Sequence, residues 1–135
     1  MGGANEVKDD RSYTEDHEWA RLEGDELLVG ITAYAVDQLG DITLVNFDVS
    51  PGDSVDARNA FGTIESVKTL SDLFAPVSGT VTRLNEELDT SPELVNEDCW
   101  GKGWMIAIKP VVVDPELKGL LDPAAYRKHL ESEDE

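Results

Sequence analysis

Apolar residues in this chain come in short alternating runs, each closed by glycine, proline or aspartate, a pattern of strands and tight turns. Trp19 to Leu22 and Leu27 to Ile31 read as two strands joined at Glu23-Gly24-Asp25. Thr32 is then a helix N-cap, with Ala35, Val36 and Leu39 on one face and Gly40 as the stop. Ile42 to Phe47 resumes as a strand rich in β-formers, followed by the Pro51-Gly52 turn, a Val55 strand, and Phe61 to Ser66. Leu70 to Phe74 returns, Pro76 ends it, and Thr80 to Leu84 and Trp104 to Ile108 complete the set. Pro92 to Val95 reads as one helical turn capped by Ser91, and Asp114-Pro115 as the start of another. Asp122 as N-cap and Pro123 at the first position open a helix through Leu130, whose Ala125, Tyr126 and Leu130 can dock on the sheets. The expectation is a mainly β fold, a flattened barrel or sandwich with a few short helices.

Two turns echo each other. Pro51-Gly52-Asp53 precedes the strand start Ser54-Val55, and Ser78-Gly79 precedes Thr80-Val81. This predicts two half-sheets packed face to face, with Val67-Lys68 at a hairpin tip between Ser66 and Leu70. Lys68 is the only lysine between Lys8 and Lys102, so the tip presents one primary amine to solvent. Such an amine suits covalent attachment; an ordinary solvated lysine is the plain alternative.

Size and charge narrow the function. At 135 residues the chain reads as one domain, with a polar, frayed segment 1–12, an ordered body 13–131 and an acidic tail 132–135. No run approaches the roughly 20 apolar residues of a membrane helix, and the N-terminus resembles neither a secretory signal nor a transit peptide. The single Cys99 rules out an internal disulfide and fits a reducing, prokaryotic cytoplasm; a processed organellar form stays open. A net charge of −18 argues against nucleic acid and anionic membrane as partners. The acidity is dispersed, which points to a salt-accumulating source or simply to an acidic soluble protein. Thermal unfolding from low to molar salt separates the two: the first requires a midpoint that climbs with salt, and a flat midpoint removes it.

Several segments, taken in order, resemble the glycine cleavage system H-protein family. They are Thr14-Glu15-Asp16-His17-Glu18-Trp19, Gly30-Ile31-Thr32, Leu39-Gly40-Asp41-Ile42, Glu65-Ser66-Val67-Lys68, Ser71-Asp72, Pro76 to Val81 and Gly103-Trp104-Met105. The resemblance spans Tyr13 to Leu130. It implies a lipoyl/biotinyl-type fold and lipoic acid in amide linkage to Lys68. The family is a carrier, not an enzyme. Its arm takes an aminomethyl group at the pyridoxal-phosphate-dependent glycine decarboxylase subunit. It passes the methylene to tetrahydrofolate at the aminomethyltransferase and is reoxidised by dihydrolipoamide dehydrogenase. A lipoate-attaching enzyme must install the arm, and a monomer suits a shuttle that visits several enzymes. The resemblance further implies a cleft that shelters the loaded arm, with Glu18 and Asp72 as its polar wall and Ile31 and Leu39 as apolar contacts.

Each assignment has a competitor. Asp16-His17-Glu18 resembles a metal or acid-base cluster, but a strand sends adjacent side chains to opposite faces. A small hydrolase built on those residues and Asp72 would lack a nucleophile and an oxyanion motif. Ile31 and Leu39 read more readily as core or helix-docking residues than as arm contacts, Trp19 and Trp104 as core, and His129 as a cation at a helix C-terminus. Other carriers remain: a biotin acceptor usually has methionines beside the lysine, where Val67 and Thr69 stand. A lipoyl domain of a 2-oxoacid dehydrogenase acyltransferase usually precedes an Ala/Pro-rich linker, and a lipoyl donor to other proteins would look the same. One departure from the family is Cys99-Trp100, where a Pro-Tyr pair is usual. Cys99 is then either a small buried hydrophobe or an exposed thiol able to exchange with the arm's disulfide.

Overall fold

A computed structural model describes residues 6–111 and 120–133. Among the described residues, nine strands form two antiparallel sheets packed as an open sandwich rather than a closed barrel. The larger sheet has the order β1-β2-β3-β9-β8-β5: Ser12–Tyr13, Glu18–Glu23, Glu26–Ile31, Ile106–Pro110, Gly79–Leu84 and Ser54–Val55. The smaller is β4-β6-β7: Ile42–Phe47, Ala60–Ser66 and Leu70–Phe74. The two echoing strand starts do not lie in opposite half-sheets. They pair with each other inside the larger sheet, Ser54 with Thr80 and Val55 with Gly79. The turns close on one another as well, since Gly52 N–H donates to Val81 O and Val81 N–H to Asp53 O.

Inward residues of both sheets make the main core: Leu27, Val29, Ile31, Val81, Ile106 and Ile108 from one, Val45, Phe61, Ile64 and Leu73 from the other. Strand β3 is buried on both faces, which is why its sequence runs almost wholly apolar instead of alternating. Its outward face, with Leu28, meets Tyr13, Trp19, Tyr34, Tyr126 and Leu130 in a second apolar cluster. Trp19 lies flat across Gly30, its cross-strand partner; a Cβ there would sit 2.6 Å from the indole, so only glycine fits.

Helix α1 (Ala33–Leu39) follows the expected chemistry: Thr32 Oγ1 accepts Ala35 N–H at 3.3 Å, and Gly40 closes it at φ 79°. Two helical turns, α2 (Glu87–Thr90) and α3 (Leu94–Glu97), occupy the loop where one was expected. Ser91 closes α2 rather than capping α3, and its side chain makes no cap bond to α3. Helix α4 (Pro123–Glu133) is capped by Asp122 Oδ1 on Ala125 N–H at 2.7 Å, and seats Tyr126 and Leu130 against the larger sheet. The expected turn at Asp114-Pro115 lies outside the described residues.

Residues 6–12, within the stretch read as frayed, carry specific contacts. Arg11 is stacked over Trp19 at 4.6 Å and Trp100 at 5.3 Å, and donates to Trp100 O at 3.0 Å. Trp100 stands edge-on to Tyr13, so Trp19 and Trp100 clamp the N-terminal segment around Arg11. Cys99 is buried, and burial first, then Glu6 and Asp98, push its thiol up to about 12, which leaves no thiolate for exchange near neutrality. Trp104, expected in the core, is half-buried beneath the Arg83 guanidinium at 5.1 Å. His129, expected as a terminal cation, sits mid-helix beside Tyr126 and His17, with Nε2 3.1 Å from Glu15 O.

Candidate functional site

Strands β6 and β7 form a hairpin with Val67 and Lys68 at its apex. Ser66 and Thr69 close it: Ser66 N–H donates to Thr69 O at 2.8 Å. The reciprocal backbone bond is replaced by the Ser66 hydroxyl, which accepts Lys68 N–H at 3.1 Å and Thr69 N–H at 3.2 Å. Ser66 is itself buried, so the apex is tied down from beneath without any left-handed residue. Sequence reasoning passed over this serine; its position just before the apex is the mark of a hydroxyl-bonded turn.

Lys68 is exposed and makes no ion pair among the described residues. Its stem lies against Gly40, where a Cβ would come within 3.4 Å of Cε and 3.7 Å of Cδ. Val67 N–H donates to Asp41 O at 3.0 Å, fixing the tip to the α1–β4 connection. Leu44, Val67 and Leu70 around it are exposed, and Glu65 stands between Leu44 and Leu70 in cross-strand register.

Glu18 sits at the other end of β7. It is 2% exposed, an unusual place for a carboxyl. Oε1 accepts the Thr14 hydroxyl at 2.9 Å and Oε2 accepts Phe74 N–H at 3.2 Å. The second bond caps the free edge of β7 and joins the two sheets. A tight loop presents the carboxyl: Thr14 Oγ1 accepts Asp16 and Glu18 N–H, and His17 takes φ 68°. That conformation turns His17 away from Glu18 and toward Tyr126, whose hydroxyl lies 2.9 Å from Nδ1 and 2.7 Å from Thr32 Oγ1. Desolvation lifts the Glu18 carboxyl to about 8, opposed by Phe74 N–H and the Thr14 hydroxyl and aided by Asp16. Glu18 lines a cavity of about 130 Å³ whose walls include Thr14, Arg58, Phe74, Pro76 and Leu121.

The remaining residues singled out from sequence divide. Ile31 is the cross-strand partner of Glu18, on the same face, and is buried at 3% in the main core. Leu39 is buried in that core one residue before Gly40. Asp72 is exposed on β7, opposite Thr63 and two residues before Phe74. Lys68 before its start, Asp72 on it and the Glu18 carboxyl at its far end are therefore spaced along β7, not clustered.

A fold with a presented lysine at one hairpin tip and a buried carboxyl beside a cleft narrows the families to compare. The family model for the glycine cleavage H-protein matches residues 11–133. The chain belongs to that family. The glycine cleavage system H protein of Rubrobacter xylanophilus is 48% identical over 129 residues, 96% of this chain and 98% of that relative. A probable glycine cleavage system H protein of Haloarcula marismortui is 48% identical over 126 residues, covering 93% and 98%. Among solved structures, a glycine cleavage system H protein from Mycobacterium marinum superposes with a TM-score of 0.83 at 36% identity, covering 93% of this chain and 99% of that one.

Proposed function

We propose that this chain is the lipoyl-carrying shuttle of a glycine cleavage system and is not itself a catalyst. Lys68 holds the arm as lipoyllysine. The single observation that carries this reading is the exposed Lys68 amine, unpaired among the described residues, on a hairpin tip braced by Ser66 and Asp41. An acylating enzyme needs a free amine on a rigid base, and the described residues supply both. The lipoyl group, once bound, supplies a disulfide that accepts, carries and surrenders an aminomethyl group between enzymes. The partners are the pyridoxal-phosphate-dependent glycine decarboxylase subunit, the tetrahydrofolate-dependent aminomethyltransferase, dihydrolipoamide dehydrogenase and the lipoate-attaching enzyme.

Strand β7 is the track for the docked arm. From Leu70 to Phe74 it spans about 13 Å, a distance suited to a lysine stem extended by a fatty acyl chain. Asp72 lies midway and Glu18 at the far end, beside the cavity; Ile31 and Leu39 back the track from the core side. The chain's own residues give the latch its terms: apolar burial contributes about 0.8 kcal/mol per methylene, offset by the ordering of a flexible arm. The protein works as a cytoplasmic monomer, and its charge suits a salt-rich cytoplasm. The test is the intact mass of the protein from its native host, with peptide mapping. One lipoyl adduct on Lys68 is expected; an unmodified Lys68 or a biotin adduct there defeats the proposal.

A further inference from the structure

Between α1 and β4 the backbone turns through Gly40 and Asp41 into Ile42, the first residue of β4, which pairs with Ser66 just before a register shift between Ile42 and Leu44. One side chain from elsewhere holds both flanks of this turn. Asn96, on α3, donates from Nδ2 to Gly40 O at 2.9 Å and accepts Ile42 N–H at Oδ1 at 2.9 Å. The amide's orientation is fixed by chemistry, since a carbonyl can only accept and an N–H can only donate. The side chain thus pairs with both flanks of Asp41 as a neighbouring strand would. Asp41 O in turn accepts Val67 N–H at 3.0 Å, and the Lys68 stem lies over Gly40.

We infer that Asn96 is a positioning residue for Lys68, setting the tip through Gly40, Asp41 and Ile42 for the enzyme that acylates the amine. The inference rests on the reading of Lys68 as the attachment site. In that step Nζ attacks the carbonyl of an acyl adenylate, the amide forms, AMP departs and the amine's proton passes to solvent. Asn96 touches none of these atoms. It acts by keeping the tip in one arrangement, so its loss lowers the fraction of carrier that the enzyme can engage. A smaller competent fraction raises the apparent KM and leaves kcat at saturation unchanged.

The experiment uses the full chain, a lipoate-activating ligase, ATP and lipoic acid, with native-state amide exchange in parallel. Asn96→Ala should raise KM for the carrier about ten-fold, the effect of one or two lost hydrogen bonds, with kcat unchanged. Val67 N–H should exchange about ten-fold faster while the amides of the β3–β9 pairing keep their rates. Asn96→Asp retains size and the bond to Ile42 N–H but sets an oxygen against Gly40 O, and should move both readouts the same way. KM and Val67 exchange unchanged in either folded variant overturn the inference. A uniform rise in exchange across β3–β9 also overturns it, because Asn96 would then be a general stabiliser. If the parent chain takes no acyl group on Lys68, the carrier proposal fails, and Val67 exchange alone still decides whether Asn96 braces the tip.

Discussion

Replacing Lys68 with arginine is expected to abolish carrier function completely while leaving the fold intact. The guanidinium keeps the positive charge and a similar apolar stem over Gly40, but it never becomes the neutral nucleophile that amide formation needs. Lys68 is exposed and unpaired among the described residues, so the stability change should stay within about 0.5 kcal/mol. The measurement is glycine decarboxylation and methylene transfer with the three partner enzymes, alongside the intact mass after incubation with the attaching enzyme. Mass without adduct, turnover at background and an unshifted unfolding midpoint are the expected triad. Turnover above background would move the arm to another lysine, and Lys102 or Lys109, both exposed, would be the next to replace. The geometry speaks against them. Lys102 stands in a turn organised by Asp98, and Lys109 lies within β9 on the outer face of the larger sheet, near Asp25.

How much of this was legible beforehand varies with the range of the interaction that decides it. Local chemistry read well: Thr32 and Gly40 bound α1, Asp122-Pro123 opens α4, and the Lys68 apex follows from the strands around it. The nearly unbroken apolar run of β3 goes with its burial on both faces, a signal the strand reading did not use. Sheet order was not legible, because nothing in the repeated turns distinguishes strands that face each other from strands that pair, and β5 and β8 pair. Helix α2 escaped because its single buried residue, Leu88, leaves no period to detect. His129 misled because its helix continues past it, and its partners come from the far N-terminal loop. At the site, Glu18 and Asn96 each depend on backbone groups 56 residues away. A carboxylate ahead of a tryptophan reads as surface charge until β7 arrives to cover it, and an asparagine in a loop carries no mark of the segment it will pair with.

That buried carboxyl makes the second large prediction. Burial lifts the Glu18 carboxyl from its ordinary 4.5 to about 8 in the folded protein, so between those limits the native state holds a proton that the unfolded chain has released. Stability linked to Glu18 is therefore whole below pH 4.5 and falls as pH rises toward 8, where the loss levels off. At about 1.4 kcal/mol per unit the full loss is on the order of 5 kcal/mol. Glu18→Gln removes the titration yet keeps an oxygen for Phe74 N–H and a polar group for Thr14. Urea unfolding of parent and variant across pH 5 to 9 should give a difference near zero at the acid end, growing in favour of glutamine and flat above 8. A pH-independent difference would mean that the carboxyl is not held neutral. The same substitution bears on the latch. A cationic amine brought beside Glu18 pulls the carboxyl's proton off and gains a charged hydrogen bond of about 1.5–3 kcal/mol, which glutamine cannot match. The docked arm of Glu18→Gln should then be less favoured by about ten- to a hundred-fold, read as faster hydrolysis of the aminomethyl cargo. Equal lifetimes in the two proteins, with the stability difference present, would leave Glu18 as a clasp between the sheets and take it out of the latch.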